Sequence, residues 1–130
     1  ALSLARQNAE ALCAKIRFVQ GDLLAPVAGE AFDLLVSNPP YVPAADCAAL
    51  QPEVTAEPRM ALLGGVDGLD FYRRIAAEAP ACLSPGARVL CELGDGQAEA
   101  VRALFTGPFA DVSIHPDLYG HPRVVAATFH

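Results

Sequence analysis

The apolar positions of this chain change their spacing several times, and each spacing predicts a different element. Over residues 1–14 they recur at helical intervals, which predicts an amphipathic helix. The side chains on its predicted buried face are Leu2, Ala5, Ala9 and Leu12. Residues 16–20 then alternate between apolar and polar side chains, which predicts a short strand.

The clearest signal is a continuous apolar run that is followed by two prolines. Leu34, Leu35 and Val36 have no polar interruption, which is typical of a strand buried on both faces of a parallel sheet. Pro39 and Pro40 cannot donate ladder hydrogen bonds, so the strand is expected to end before them. The chain therefore leaves the sheet at its carboxyl edge, where open α/β sheets bind their ligands.

The rest of the chain alternates predicted helices and strands after a long loop over 42–65, which includes one helical turn over 44–50. The first of the later elements is a helix over 67–83, which Pro80 should kink or end early. It is followed by a Ser-Pro-Gly turn, a strand over 87–92, a helix over 97–105, and strands over 111–115 and 124–129. Gly120 marks the turn between the last two strands, so this pair is predicted to be antiparallel. This order predicts an α/β sheet with a C-terminal hairpin.

The composition fits one folded domain and limits the classes of partner. Of the 130 residues, 53% are hydrophobic and 18% are charged, which provides enough apolar surface for a core. The net charge is −6, so the surface as a whole does not favour phosphate, and no direct nucleic-acid partner is expected. No apolar run is long enough to span a bilayer, so no membrane partner is expected.

The cysteines and histidines do not form a metal-ligand pattern. The cysteines are Cys13, Cys47, Cys82 and Cys91, and none is closely paired with another. The three histidines do not cluster near them. We therefore expect no metal and no disulfide framework, and reduced thiols in a cytoplasmic protein are the default.

The groups of the Asn-Pro-Pro-Tyr corner suit the binding of a planar amino group. The Asn38 side chain offers a carbonyl acceptor without net charge, and Pro40 holds Pro39 extended, which fixes the direction of the Pro39 carbonyl. These two acceptors suit both hydrogens of a planar NH2 group, with Tyr41 against its face. Such a clamp turns an amide-like nitrogen toward an electrophile. The alternative is an ordinary loop with a polar cap and two stiffening prolines.

A second candidate loop follows the predicted strand over 16–20. Gly21 and Asp22 leave that strand at its carboxyl end, and Leu23 follows them. Alone, Gly-Asp is compatible with an ordinary turn. Its position before the buried strand and Asn-Pro-Pro-Tyr also suits a ligand-binding loop on the same edge of the sheet.

Several motifs at matching intervals resemble one enzyme family. They are Asn38-Pro-Pro-Tyr, Glu57-Pro-Arg-Met-Ala-Leu, Gly64-Gly-Val-Asp-Gly-Leu-Asp-Phe-Tyr-Arg, Leu90-Cys-Glu-Leu-Gly-Asp-Gly-Gln and Asp117-Leu-Tyr-Gly-His-Pro-Arg-Val-Val. Asn-Pro-Pro-Tyr after a buried strand resembles the catalytic motif of S-adenosylmethionine-dependent amino-group methyltransferases. The whole combination is similar to the HemK/PrmC-type peptide chain release factor glutamine N5-methyltransferases. DNA adenine methyltransferases share only Asn-Pro-Pro-Tyr among these motifs.

The resemblance implies an α/β fold of the class I S-adenosylmethionine-dependent methyltransferase type, a Rossmann-like sheet with a C-terminal antiparallel hairpin. It implies that the catalytic and substrate-binding residues for a glutamine side-chain amide are Asn38, Pro39, Pro40 and Tyr41. It implies S-adenosyl-L-methionine as the cofactor, bound by Asp22, Leu23 and Asn38, with Leu23 against the adenine and Asp22 near its exocyclic amine. The implied partner is a peptide chain release factor, methylated on the glutamine of its Gly-Gly-Gln loop.

Parts of the family pattern have no counterpart in the sequence. The N-terminal helical domain, the first two strands and the acidic Gly-rich cofactor loop are not found before Ala1. The resemblance therefore identifies residues 1–130 as the C-terminal portion of a single catalytic domain, which we expect to be inactive alone. Without its neighbours the central strand exposes an apolar edge, which invites self-association.

Three alternatives stay open at the level of the sequence. Residues 92–96, Glu-Leu-Gly-Asp-Gly, follow a strand and precede a helix, so they imitate a Gly-rich cofactor loop in a permuted order. A second alternative is a cofactor-free α/β remnant or binding module. The third is an adenine-N6 nucleic-acid methyltransferase that shares the Asn-Pro-Pro-Tyr motif.

Overall fold

A computed structural model describes residues 1–46 and 61–130. The helices are α1 (Leu2–Ala11), α2 (Asp70–Glu78) and α3 (Ala98–Arg102), with 3₁₀ turns at Ala25–Val27 and Ala79–Ala81. The strands are β1 (Phe32–Ser37), β2 (Leu83–Glu92), β3 (Phe109–Pro116) and β4 (Pro122–Phe129). The predicted helical turn over 44–50 and the Glu57-Pro-Arg-Met motif fall wholly or partly on residues 47–60, outside the described residues.

The four strands form one mixed sheet in the order β1-β2-β4-β3. β1 and β2 are parallel, with Ser37 opposite Cys91. β4 is antiparallel to both β2 and β3, with Val124 opposite Glu92 and His115. The predicted C-terminal antiparallel hairpin is therefore confirmed, and it adds two strands beside the parallel pair.

The core lies between the sheet and helices α2 and α3. Tyr72 and Ile75 on α2 and Val101 on α3 are completely buried, and they pack in one cluster with Val89 of β2 and Val125 of β4. These positions follow the helical and strand periods that the sequence predicts. The burial of these apolar side chains is the main source of stability for the described fold.

Helix α2 is shorter than the predicted helix over 67–83. Asp67 lies before the helix, where its Oδ1 accepts the N–H of Leu69 at 3.1 Å. The helix ends at Glu78, and Pro80 lies in the 3₁₀ turn that follows. The predicted early end is confirmed. Proline cannot donate the helical hydrogen bond, so the regular helix does not continue through Pro80.

The predicted strand over 16–20 was wrong. The structure has no strand there, and Ile16 and Val19 are 57% and 43% exposed. A strand needs a neighbour to accept and donate its backbone hydrogen bonds. None of the four strands of the described sheet pairs with this segment, so the backbone of residues 16–20 forms no β-ladder despite the alternating side chains.

The predicted burial of the central strand on both faces was also wrong. Leu35 packs against the core, whereas Leu34 is 55% and Val36 is 70% exposed. β1 pairs only with β2 and forms one edge of the described sheet. The run of apolar residues predicts a strand, but the strand is buried on both faces only if other elements pack on each face of the sheet.

Two smaller expectations were wrong in their details. Leu12 is 78% exposed and lies just beyond the end of α1 at Ala11, and Ala9 is the one residue of the predicted face that is fully buried. The Ser-Pro-Gly segment before the 87–92 strand lies inside β2 as a bulge. Leu83 pairs with Phe32 and Arg88 with Leu34, so the intervening residues loop out of the ladder.

Candidate functional site

The predicted corner lies where the ends of three strands meet at one edge of the sheet. Asn38 follows β1, Glu92 ends β2, and Val124 is near the start of β4, opposite Glu92. These three residues, together with Val36 and Leu90, line a depression of about 200 Å³. The strand register therefore brings Asn38 to a concave surface, as its position in the sequence predicts.

Asn38 and Pro39 present different surfaces at this corner. Asn38 is exposed, whereas Pro39 is buried and Pro40 is half-buried. Within ranges 1–46 and 61–130, no hydrogen bond joins the Asn38 side chain to another residue. No backbone N–H in the same ranges donates to the Pro39 carbonyl. Both predicted acceptors are thus held by the chain path rather than by hydrogen bonds within the described residues.

Tyr41 is tied to the structure through both its backbone and its ring. Its carbonyl accepts a hydrogen bond from Nε2 of Gln97 at 2.9 Å. Its ring is half-buried, packs against the core, and lies so close to Gly94 that a Cβ there would be 2.8 Å from Cδ2. In this structure the ring contacts the β2–α3 junction, and it is not among the residues that line the depression next to Asn38.

The segment after Tyr41 is held by residues 62–65. The N–H of Val42 donates to the Leu62 carbonyl at 2.9 Å, and the N–H of Gly64 donates back to the Val42 carbonyl at 2.9 Å. Val42 and Leu63 form a parallel bridge. The Gly-Gly-Val-Asp-Gly motif also lies against the Asn-Pro-Pro-Tyr corner, since a Cβ on Gly64 would be 2.8 Å from the Pro40 carbonyl oxygen.

Gln97 is a residue of this site for which the sequence alone predicts no function. Its side chain reaches Tyr41 and also accepts the Gly94 N–H at 3.1 Å through Oε1. The signal that points to it is the Glu-x-Gly-x-x-Gln spacing at the end of β2. That spacing places the glutamine just before α3, but only the fold shows that it contacts the corner.

Asp22 lies in an ion pair rather than beside Asn38. Arg74 of α2 donates to both of its carboxylate oxygens, from Nη1 at 3.1 Å and from Nη2 at 3.0 Å. Hydrogen bonds from Arg74 to Asp22 and then to Glu78 raise the pKa of the guanidinium. Neither Asp22 nor Leu23 lines the depression at Asn38.

Leu23 has a strained backbone and a partly buried side chain. Its φ of +46° is in the left-handed region, which is unfavourable for a residue with a Cβ. Its side chain packs against the edge of the hydrophobic core. In the described structure Leu23 therefore serves the core, and a ligand would contact only its remaining exposed part.

The Gly-rich segment after β2 does not form an open cradle. A Cβ on Gly94 would lie 2.6 Å from Gln97 Oε1, so this space is filled by the protein's own side chains. The helix that follows, α3, has only five residues. These observations disfavour the permuted arrangement, in which this loop would surround a cofactor.

The remaining chemistry-bearing residues are dispersed. No group of three or more histidine, cysteine or acidic residues within the described ranges is placed to hold a metal ion. Cys13 is exposed, whereas burial raises the pKa of Cys82, and it raises that of Cys91 to about 12. Among the helices that the structure describes, none has the length and hydrophobicity that crossing a membrane requires.

Comparisons with known proteins point to methyltransferases. The family model described as "Methyltransferase small domain" matches residues 1–61. A release factor glutamine methyltransferase from Geobacter sulfurreducens is 52% identical over 128 residues, which is 96% of this chain and 45% of that protein. The chain thus spans about half the length of the curated relatives it matches.

Two solved structures have a similar fold. The release-factor-specific protein-(glutamine-N5) methyltransferase from Alicyclobacillus acidocaldarius is 35% identical, with a TM-score of 0.51 over 77% of this chain and 50% of that one. A methyltransferase from Pyrococcus furiosus is 20% identical, with a TM-score of 0.67 over 98% of this chain and 56% of that one, and shows the fold alone. The predicted class I methyltransferase fold is confirmed as a partial Rossmann-like sheet. By sequence, the chain is similar over nearly its whole length to part of the release factor glutamine methyltransferases.

Proposed function

We propose that the protein to which these residues belong methylates the side-chain amide nitrogen of a glutamine in a translation release factor. The observation that carries the proposal is the exposed Asn38 beside the buried Pro39 at the carboxyl end of β1, next to a depression. The names of the similar proteins support the same activity. Because the chain spans about half of those relatives, the proposal concerns the longer enzyme.

Asn38 and the Pro39 carbonyl would orient the substrate amide. The Asn38 Oδ1 and the Pro39 oxygen each accept one of the two amide N–H groups, so the nitrogen lies in one plane and faces one direction. Pro39 and Pro40 limit backbone rotation, so the two acceptors keep their spacing. An amide nitrogen is a weak nucleophile, and holding it in an attack geometry is the main contribution that these residues make.

S-adenosyl-L-methionine would supply a methyl group on a positively charged sulfur, which is a good leaving group. For its binding we propose Leu23 at the adenine, Asp22 near the exocyclic amine, and Asn38 close to the transferred methyl. The described residues fit this role only in part. Asp22 is already bound by Arg74, and the depression of about 200 Å³ is below the roughly 300–1,000 Å³ of ordinary small-molecule sites.

We therefore propose that the 130 residues alone do not hold the cofactor well enough for turnover. Calorimetry with S-adenosyl-L-methionine tests this, because micromolar binding by this chain would contradict it. An absence of binding by the chain together with activity of the longer enzyme would agree with it. An absence of binding and of activity in both would favour the cofactor-free binding module.

The decisive substitution is Asn38→Ala in the longer enzyme. Because Asn38 is exposed and has no hydrogen bond within the described residues, the free energy of unfolding should change by less than about 0.5 kcal/mol. Loss of one of two orienting acceptors should lower kcat by about 10² or more. Asn8→Ala on α1 is the matched control, since Asn8 is also exposed. Retained turnover in Asn38→Ala would refute the clamp.

A release factor is the proposed substrate in preference to a nucleic acid. The chain carries a net charge of −6, which opposes association with phosphates. Methyl transfer should therefore occur to a release factor and disappear when its Gly-Gly-Gln glutamine is replaced by alanine. Transfer to adenine-containing DNA in the same assay would instead support the nucleic-acid alternative.

Self-association is a further part of the proposal. Leu34 and Val36 are exposed on β1, which is an edge strand of the described sheet. Exposed apolar edges of this kind pair with other chains. The sedimentation coefficient of the chain should rise with concentration, and Val36→Lys should suppress the rise. If the sedimentation coefficients of the unaltered chain and of Val36→Lys rise equally with concentration, β1 has no role in self-association.

A further inference from the structure

Gln97 lies where three separate segments meet. Its Nε2 donates to the Tyr41 carbonyl at 2.9 Å and points toward the Gly68 carbonyl at 3.5 Å. Its Oε1 accepts the N–H of Gly94 at 3.1 Å. A neutral amide is the side-chain group that donates and accepts in these opposite directions at once.

The segments around Gln97 are in close contact with one another. A Cβ on Gly94 would lie 2.6 Å from Gln97 Oε1 and 2.8 Å from Cδ2 of Tyr41. Gly68 has a φ of +78°, and a Cβ there would collide with the Tyr41 carbonyl. Since the segments are in direct contact, a change in the Gln97 hydrogen bonds must move the Tyr41 backbone or break the contact.

The position of Tyr41 in turn affects Asn38. The two residues are separated only by Pro39 and Pro40, whose fixed φ angles make the connection stiff. Fixing the Tyr41 carbonyl therefore restricts the directions in which the Asn38 side chain and the Pro39 carbonyl can point. No other side chain within the described ranges donates a hydrogen bond to the Tyr41 carbonyl.

We propose that Gln97 is a positioning residue for the Asn-Pro-Pro-Tyr corner. It acts through the Tyr41 carbonyl and does not itself contact the reacting amide. The contact between Gln97 and Tyr41 stands on the geometry alone, whereas its consequence for methyl transfer rests on the proposed function. The two parts need separate measurements.

The first measurement is NMR of the 130-residue chain with carbon-13-labelled tyrosine rings. The chain contains three tyrosines, and Tyr119, which is 89% exposed at the hairpin tip, serves as the internal reference. Gln97→Glu keeps an oxygen for the Gly94 N–H but has no N–H for the Tyr41 carbonyl. We expect the Tyr41 signal to shift and the Tyr119 signal to stay in place.

Acidification provides a rescue within the same variant. Below about pH 4 the introduced carboxyl becomes protonated and gains one O–H donor. The Tyr41 signal should then return toward its position in the unaltered chain, which is titrated in parallel to account for other carboxyl groups. A purely structural defect from a change of side-chain shape would not reverse with pH.

Gln97→Met is the second variant, because it keeps the length of the side chain and removes both hydrogen bonds. It should also shift the Tyr41 signal, and exchange of the Gly94 amide should become faster by on the order of tenfold. In Gln97→Glu that amide should stay protected. If neither variant moves the Tyr41 signal at neutral pH, the inference is overturned. If one variant does not fold, the signal of the other variant decides the test.

The second measurement is methyl transfer by the longer enzyme carrying Gln97→Glu. We expect kcat to fall by on the order of tenfold, with less change in KM for the release factor, since the corner is misdirected rather than removed. An unchanged kcat despite a displaced Tyr41 signal would overturn the positioning role. If the unaltered longer enzyme transfers no methyl group to the release factor, the proposed function is refuted. The NMR measurement would still show whether Gln97 determines the position of Tyr41.

Discussion

The Tyr72 hydroxyl provides the sharpest test of the described core. Tyr72 is completely buried on α2, and its hydroxyl donates to the Glu92 carbonyl at 2.7 Å. Glu92 is the last residue of β2 and lines the depression next to Asn38. This hydrogen bond therefore joins the helix layer to the end of a strand that borders the candidate site.

Tyr72→Phe removes one oxygen and keeps the buried ring. The Glu92 carbonyl loses its partner at a part-buried position, so the free energy of unfolding should fall by about 1–2 kcal/mol. At an unfolding entropy of about 2.1 cal/mol/K per residue, a 130-residue chain should show a Tm lower by roughly 4–7 °C. Urea unfolding followed by circular dichroism measures the same difference at 25 °C.

Tyr119→Phe is the matched control for this change. Tyr119 is 89% exposed at the hairpin tip, so the same loss of a hydroxyl should cost less than about 0.5 kcal/mol. If Tyr72→Phe is no more destabilising than Tyr119→Phe, the hydrogen bond to Glu92 does not contribute as argued.

The same residue predicts a dependence on alkaline pH. Burial raises the pKa of Tyr72 above its ordinary value of 10.0, because the charged phenolate is poorly solvated inside the protein. Stabilisation from the neutral hydroxyl is therefore complete below pH 10 and declines as the pH rises further. The difference in stability between the unaltered chain and Tyr72→Phe should narrow above pH 10. A constant difference would contradict the buried, neutral hydroxyl.

Two further predictions concern charged and thiol groups. Hydrogen bonds from Arg73, and then from the Leu69 N–H, lower the pKa of Asp67 from 3.8 to about 2. Asp67→Asn should therefore destabilise the chain at pH 7 and much less at pH 2, because the stabilisation from the ionised carboxylate is lost as the pH falls from 3.8 through 2. Urea unfolding at both pH values measures this, and an equal loss of stability at the two values would contradict it. Iodoacetamide at pH 8.5 should modify exposed Cys13 well before Cys91, whose pKa burial raises to about 12, and peptide mass mapping would show equal labelling if this is wrong.

Local patterns in the sequence determined most of the elements and the place of the corner. The apolar run predicted a strand that ends before Pro39 and Pro40, and β1 ends at Ser37. Gly120 marked the turn of the hairpin, which is confirmed. These features depend on bonds and side chains close in sequence, such as the missing N–H of proline, and so they can be derived without knowing the neighbours.

The tertiary structure decided which apolar surfaces are covered. Leu34 and Val36 have the same character as Leu35, yet only Leu35 packs against the core. The segment over 16–20 alternates like a strand but has no partner in the described sheet. Burial and strand pairing each require a second surface, and the pattern of one segment contains no information about whether that surface is present.

The tertiary structure also decided the roles of the polar side chains at the candidate site. Asp22 is paired with Arg74, 52 positions later, and Gln97 donates to the Tyr41 carbonyl across 56 positions. Hydrogen bonds act over about 3 Å, so they depend on which atoms the fold brings together rather than on distance along the chain. The sequence therefore predicted the residues that form the corner, whereas the packing of α2 and α3 against the sheet determined which side chains hold it in place.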